Sequence, residues 1–398
     1  MSHQQRVFLN YGKQWINDVD IQAVVDVLKS DYLTQGPKIK EFEDKICEMT
    51  GAKYCVVVAN GTAALHLAVA ALKIENGSEG ITSPNTFIAT SNSLIYNGLK
   101  PIFADIDNKT YCIDPEKIKG KITKNTRLII PVHFAGQPCD MKKIHQIATY
   151  DQRAKSHKLF IIEDASHAIG SQYADGSYVG NCKYSDMTTF SFHPVKTITT
   201  GEGGAITTNN RELYERLLLL RNHGITKDNS KFSIEHSKLN ELWYYEMQEL
   251  GFNYRMTDMQ AALGLSQIKH LSEFKQRRRE IVAYYNQSFK DIDWLKIPYE
   301  AENLSSCFHL YVIQIDFEKI GKTRKEVMEY LLNKKIGTQV HYIPVHTQPY
   351  YQQNYGYKWG DYPIAEGYYE KALSIPIYPK MTDEDVEYVI ENILELGN

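Results

Sequence analysis

The chain lacks a charge excess of either sign: 45 lysine and arginine residues stand against 48 aspartate and glutamate, a formal net charge of −3. That leaves no broad electrostatic footprint for nucleic acid or a membrane surface, so an anionic ligand has to be captured by local groups. Paired cysteines are missing too. Cys47, Cys55, Cys112, Cys139, Cys182 and Cys307 are scattered without a CxxC spacing, which fits a reducing compartment better than a disulfide framework. No apolar run approaches the length of a membrane span, and the N-terminus shows no charged-then-apolar signal pattern. The expectation is a cytoplasmic protein with no nucleic acid and no membrane as partner. HExxH, GxSxG and Walker lysine motifs are absent. His341 and His346 are five apart, which does not put two ligands on one helix face, so no metal site is expected.

What is present is a soluble, globular composition in 398 residues, longer than a single core usually supports. Two domains are expected: a large one over 1–265, including a polar and aromatic excursion at 226–249, and a small α+β one over 266–398. Strand-like runs (Tyr54 to Ala59, Ile81-Thr82, Pro101 to Asp105, Arg127 to Pro131, Leu159 to Asp164) alternate with helical stretches up to about residue 208. That alternation predicts an α/β fold with a mostly parallel sheet covered on both faces. Val7 to Tyr11 reads as a lead-in strand, Asp18 as the cap of a first helix, and the excursion as a hairpin or a dimer arm. Further on, a bent helix is predicted from Thr257 to about Tyr285, and a strand from Thr338 to Tyr342.

One stretch organises the chain: Ser191-Phe192-His193-Pro194-Val195-Lys196-Thr197-Ile198-Thr199-Thr200-Gly201-Glu202-Gly203-Gly204, after the strand-like Met187 to Phe190. Lys196 stands among small, apolar and hydroxyl side chains with no acid nearby except Glu202. Such surroundings disfavour the ammonium form, and an uncharged ε-amine can form a Schiff base with an aldehyde. A surface lysine on a loop is the plainer reading, and other segments have to reverse it.

Three segments bear on that. In Val56 to Ala64, a strand, a tight turn at Asn60-Gly61-Thr62 and a helix start gather free amides and a hydroxyl, which suits a phosphate or an ordinary N-cap. In Phe160-Ile161-Ile162-Glu163-Asp164-Ala165-Ser166-His167, carboxylates end an apolar strand, where α/β proteins place ligand groups. A carboxylate there could hold a proton on a heterocyclic nitrogen and His167 could hydrogen-bond a phenolic oxygen, or Asp164 and Ser166 could simply cap a helix. In Gly251 to Ala262, Thr257 and Asp258 read as a helix start, whereas Asn253 and Arg255 are less easily explained that way.

Taken together and in order, LTQGP, NGTAALHLA, TFIAT, EDASHAIGS, SFHPVKTITTGEGG, GFNYRMTDMQAALGLSQ and VHYIPVH resemble the fold-type I pyridoxal-phosphate enzymes, and more closely the DegT/StrS-type nucleotide-sugar aminotransferases. The likeness implies a large domain with a mostly parallel seven-stranded sheet and a smaller C-terminal α+β domain. It implies pyridoxal 5'-phosphate as cofactor, with Lys196 bonded to it and shuttling a proton, and Asp164 paired with the ring nitrogen. Phe87 would stack on the ring and His167 would lie by its phenolic oxygen. Gly61, Thr62, Ala63 and Ser191 would bind the phosphate, joined by Asn253 from the other subunit of a homodimer with shared active sites. Substrate contacts would come from Tyr11, Asp31, Tyr32, Leu33, Thr34, Asn253, His341, Tyr342 and Ile343.

The form SFHPVK-ITT-EGG with DASHA upstream is most similar to the UDP-4-amino-4,6-dideoxy-N-acetyl-β-L-altrosamine transaminases of the pseudaminic acid route. The implied reaction passes the amino group of L-glutamate to the 4-keto carbon of a UDP-linked 6-deoxy-N-acetylhexosamine. Rival readings are another 3- or 4-keto nucleotide sugar, dTDP- or UDP-linked, or a non-catalytic regulatory protein of the same fold. Retention of Lys196, Asp164 and the phosphate turn counts against the last.

Overall fold

The computed structural model describes residues 7–151, 153, 158–233 and 241–397. Along the first half, α1 (Asp18–Leu28) and α2 (Pro37–Thr50) precede a strand–helix alternation: β1 (Tyr54–Val58), α3 (Gly61–Ala71), β2 (Glu79–Thr82), α4 (Ala89–Tyr96), β3 (Lys100–Phe103), α5 (Pro115–Lys121), β4 (Thr126–Ile130), α6 (Met141–Tyr150), β5 (Phe160–Asp164). Then β6 (Met187–Ser191), β7 (Gly204–Thr208) and α7 (Arg211–Arg221) complete the large unit's core, and β8 (Ile225–Thr226) pairs with β9 (Glu246–Met247). The remainder is α8 (Asp258–Gln267), α9 (Leu271–Phe289), β10 (Leu295–Lys296), β11 (Tyr311–Ile315), α10 (Arg324–Asn333), α11 (Pro349–Tyr355), α12 (Pro363–Lys371), β12 (Ala372–Ile375) and α13 (Asp383–Leu394).

Seven strands form one sheet in the order β1-β7-β6-β5-β4-β2-β3. Only β7 runs against its neighbours, so the sheet is mostly parallel, as the alternation predicts. Such a sheet is buried on both faces, and its strands divide their side chains between two cores. In β1, Cys55 and Val57 join the core beneath α2, while Val56 and Val58 join the core built on α3. The same alternation splits β5: Ile161 faces one core and Ile162 the other. Glu163 and Asp164 therefore end the strand on opposite faces.

Glu163 is fully buried and accepts from His133 Nε2 at 2.8 Å and Ser185 Oγ at 2.5 Å, with the Tyr173 hydroxyl as a further partner. These donors hold its carboxyl below the usual range against the opposing effect of burial, which would raise it. This network fixes the end of β5 from behind and leaves Asp164 to the other side.

A second, smaller sheet, β10-β11-β12, is antiparallel and packs with α9, α10 and α13 around Tyr285, Phe289, Ile313, Leu331, Val389 and Ile393. We propose the division between the large and small units near residue 265, within α8. Among the described residues, no helix is long and apolar enough to cross a membrane.

Several local expectations are corrected. The first helix is capped by Asn17 and not by Asp18: Asn17 Oδ1 accepts from the Asp20 amide at 3.0 Å and the Asp20 carboxylate returns the bond at 3.1 Å. Thr338 to Tyr342 is no strand; Gln339 makes one isolated bridge to Ser374, because the segment turns away to wall the cavity described below. Val7 to Tyr11 likewise makes a single bridge, Leu9 to Ile336. The long helix is interrupted by a 3₁₀ turn at Ile268–His270 and continues to Phe289. The excursion is a hairpin at its base, where β8 and β9 pair; its residues 234–240 lie outside the described ones.

Candidate active site

The C-terminal ends of β1, β5 and β6 open on one side of the sheet, and a cavity of about 1110 Å³ lies over them. Its floor is the turn after β1. Asn60 caps α3 by accepting from the Ala63 amide at 2.8 Å, which leaves the first helical amides, Gly61 and Thr62, without intrahelical partners. Both residues line the cavity with Ser191, the last residue of β6. A Cβ on Gly61 would stand 2.8 Å from that of Ser191, so glycine is needed for the turn to meet the strand end. β7 passes beneath, where a Cβ on Gly204 would stand 2.5 Å from the Asn60 carbonyl oxygen. Amides, two hydroxyls and the positive end of a helix converge there, a cradle fit for a phosphate.

Lys196 lies on the loop between β6 and β7, held by its amide's bond to the His193 carbonyl at 2.9 Å and by the Phe192–Gly203 pairing at the loop's neck. Its amine lines the cavity, where burial pulls the pKa down to about 8; the Asp164 carboxylate opposes that fall. Asp164, 4% exposed, accepts from Thr90 Oγ1 at 2.7 Å, from Ser166 Oγ at 2.6 Å and from the Ser166 amide at 3.1 Å. Phe87 is 58% exposed and lines the same cavity, an aromatic face with room for a second ring.

His167 adds a donor of defined direction. Its Nδ1 accepts from the Ala135 amide at 3.3 Å, so the neutral ring carries its proton on Nε2, which donates to the Tyr342 hydroxyl at 3.1 Å. Burial, aided by the Lys196 charge, holds its pKa well below the ordinary value, and the ring stays neutral. His341 is also driven down, to about 3, by burial and by Lys196, and its Nδ1 lies 2.8 Å from Ser374 Oγ. The group these residues suit is a phosphorylated aromatic aldehyde with a basic ring nitrogen and a phenolic oxygen.

The depressed amine has a measurable consequence. In the folded protein Lys196 gives up its proton near pH 8, where an unfolded lysine holds its own to about 10.5. The folded state therefore binds fewer protons between those values, so this group costs stability below pH 8 and ceases to do so as pH rises through 10.5. Capture of a free aldehyde by the apoprotein, followed by borohydride trapping, should rise with pH around a midpoint near 8. A midpoint above 10 would place the amine in water.

The single chain brings together Gly61, Thr62, Phe87, Asp164, His167, Ser191 and Lys196 with Tyr11, His341, Tyr342 and Ile343. It does not bring in the others. Ala63 is buried in α3 with its amide taken by Asn60. Asp31, Tyr32, Leu33 and Thr34 are exposed on a loop anchored to the start of α8, through a Thr34–Thr257 bridge and the Asp258 amide on the Leu33 carbonyl. Asn253 is exposed beside Asn222, also outside the cavity. Other lining residues carried little signal in the sequence. Thr90 could have been noticed, four residues after Thr86 at a predicted helix start; His309, in an apolar strand-like run, offers nothing that marks it.

A family model described as the DegT/DnrJ/EryC1/StrS aminotransferase family matches residues 14–394. The chain is similar to the spore coat polysaccharide biosynthesis protein SpsC of Bacillus subtilis, at 42% identity over 100% of this chain and 99% of that protein. It is also similar to the GDP-perosamine synthase of Escherichia coli O157:H7, at 36% identity over 94% of each. Among solved structures, Helicobacter pylori PseC, an aminotransferase of pseudoaminic acid biosynthesis, superposes with a TM-score of 0.88 at 31% identity, covering 98% of this chain and 99% of that one. Spr1654 of Streptococcus pneumoniae, in its PLP form, gives a TM-score of 0.87 at 29% identity over 98% of both chains.

Proposed function

We propose, on the premise that the chain belongs to the DegT/DnrJ/EryC1/StrS aminotransferase family, that it moves the amino group of L-glutamate to the 4-keto carbon of a UDP-linked 6-deoxy-N-acetylhexosamine. Glutamate leaves as 2-oxoglutarate and the sugar as a UDP-4-amino-4,6-dideoxy sugar, for surface glycan biosynthesis; the β-L-altrosamine product is favoured. The observation that carries the reading is the convergence of Lys196, Asp164, His167 and the phosphate cradle on one cavity. The likeness to PseC along nearly the whole chain supports the choice of sugar. The similarity to a GDP-perosamine synthase favours a second reading, the same transfer to a sugar on a different nucleotide.

When bound, pyridoxal phosphate supplies the electron-withdrawing ring through which an amino group passes from donor to acceptor. The chain's own groups hold and move protons around it. The Gly61 and Thr62 amides with the Thr62 and Ser191 hydroxyls would hold the phosphate, and Phe87 would pack on the ring face. Asp164 would pair with the proton on the ring nitrogen, and His167 would lie by the phenolic oxygen, its Nε2 proton reaching that oxygen only by leaving the Tyr342 hydroxyl. Lys196, its amine titrating near pH 8, takes and returns the proton at the reacting carbon.

Among the described residues lining the cavity, Lys196 is the only lysine or arginine. The exposure of the Asp31 to Thr34 loop and of Asn253, both outside the cavity of their own chain, supports a homodimer in which they complete the neighbouring site. The test is spectroscopic. The purified holoprotein should be yellow, glutamate should bleach it, and one member of a panel of UDP-, dTDP- and GDP-linked keto sugars should restore the colour fastest. No response to glutamate would sink the transaminase reading, and restoration by a 3-keto or non-UDP sugar alone would replace the substrate.

A further inference from the structure

The hydrogen bonds around Asp164 are more numerous than holding one carboxylate in place requires. An ionised carboxylate offers about four acceptor positions, two on each oxygen. Ser166 fills both on Oδ1, from its amide at 3.1 Å and its hydroxyl at 2.6 Å. Thr90 Oγ1, at 2.7 Å, fills one on Oδ2. One position remains.

The direction of the protons along this chain is determined. A carboxylate accepts only, so Thr90 must spend its single hydroxyl proton on Asp164; its longer approach to the Phe87 carbonyl, 3.2 Å, loses that competition. The Thr90 oxygen is then left to accept, and Thr86 Oγ1 lies 2.7 Å away as the donor. Thr86, Thr90 and Asp164 are 2%, 1% and 4% exposed, so water neither supplies these bonds nor replaces them. Thr86 and Thr90 also bracket Phe87, one residue before it and three after, on the turn that starts α4.

We propose that Thr90, oriented by Thr86, is a positioning residue that leaves a single Oδ2 lone pair of Asp164 for the proton on the cofactor's ring nitrogen. The proposal rests on the reading of this cavity as a pyridoxal-phosphate site. Its chemical sense is geometric: with three of its four acceptor positions filled, Asp164 is held in one orientation and has one Oδ2 position for the ring nitrogen's proton. Removing the Thr90 hydroxyl would open a second position on Oδ2 and free the carboxylate's orientation. It would also leave the Thr86 hydroxyl buried without its acceptor.

The test compares Thr90→Val, which keeps shape and removes the hydroxyl, with Thr90→Ser, which keeps the hydroxyl. Apoprotein is titrated with pyridoxal phosphate and with its carbocyclic analogue, in which the ring nitrogen is replaced by CH. Thr90→Val is expected to lose about tenfold in affinity for pyridoxal phosphate and to bind the analogue as the unaltered protein does, because only the former uses Asp164. Turnover should fall by about ten- to a hundredfold with KM for glutamate nearly unchanged, and Thr90→Ser should recover most of both losses. Equal losses for the two cofactors would mean a merely structural role and overturn the proposal, as would a Thr90→Val protein that keeps full affinity and turnover. Should Thr90→Val fail to fold, Thr86→Val, which removes only the donor behind it, must show the same discrimination. The failure of this proposal is separable from that of the proposed function: if the unaltered holoprotein responds to glutamate while Thr90→Val does not discriminate, only the relay is wrong.

Discussion

Lys196→Ala should lower turnover by at least about 10³-fold, the expectation for removing a residue proposed to be at once nucleophile and proton carrier. The loss should fall in kcat, since the proposed phosphate cradle at Gly61, Thr62 and Ser191 is untouched and should still retain cofactor. Two measurements make the test specific. Borohydride should attach pyridoxal phosphate covalently to the unaltered protein and not to the variant, and mass spectrometry of the digest should place the adduct on the peptide containing Lys196. Removing the amine should also abolish the pH 8 midpoint of aldehyde capture. An adduct persisting in Lys196→Ala would assign the chemistry to another lysine. Among the described residues, no second lysine lines the cavity.

Asp164→Asn should cost about 10²- to 10³-fold in kcat, the usual effect of deleting one preorganised electrostatic partner of the reacting system. The change is close to isosteric, but it removes the negative charge that would stand opposite the ring nitrogen. It also puts an amide where the three donors from Thr90 and Ser166 expect only acceptors. One of those donors then faces an NH₂ group in a water-poor site, and the apoprotein should lose about 1–3 kcal/mol of stability. Kinetics on the holoprotein and a melting curve on the apoprotein separate the two effects. Activity within tenfold of the unaltered protein would show that the carboxylate does not govern the ring.

Much of this site was legible before any coordinates, because its parts lie at places where a strand must end. Asp164 closes an apolar run, Ser191 closes another, and Asn60-Gly61-Thr62 stands between a strand and a helix; such junctions can be read from periodicity. Lys196, with no acid nearby except Glu202, reads first as a surface lysine on a loop, and only those other segments singled it out. Side-chain partnerships across long sequence separations were not readable. The Thr90–Asp164 bond spans 74 residues, and nothing in either segment marks the other as its partner. The misplaced strand at Thr338 to Tyr342 has a similar cause. Its β-branched and aromatic residues suit a sheet, but they wall the cavity, with His341 on Ser374 and Tyr342 on His167. The exposed Asp31 to Thr34 loop and Asn253 show the opposite case, residues named through resemblance whose place in a site a single chain does not contain.

The cavity wall is drawn from Asn60, Phe87, Asp164, Lys196 and Tyr342, so it spans nearly three hundred positions of the chain, from β1 to the small unit. No fragment of the fold contains it. Contacts of such separation form late in folding, because loop closure must be completed before they contribute. A cofactor that recognises all of these residues binds only molecules whose long-range pairing is finished. At a hundredfold excess over its dissociation constant, it would stabilise them by about 2.7 kcal/mol. The expected yellow colour would then report more than occupancy: it would count the fraction of chains that have completed their topology. A cell short of this cofactor would hold a population of this protein less stable and more open to proteolysis, with no change in its sequence.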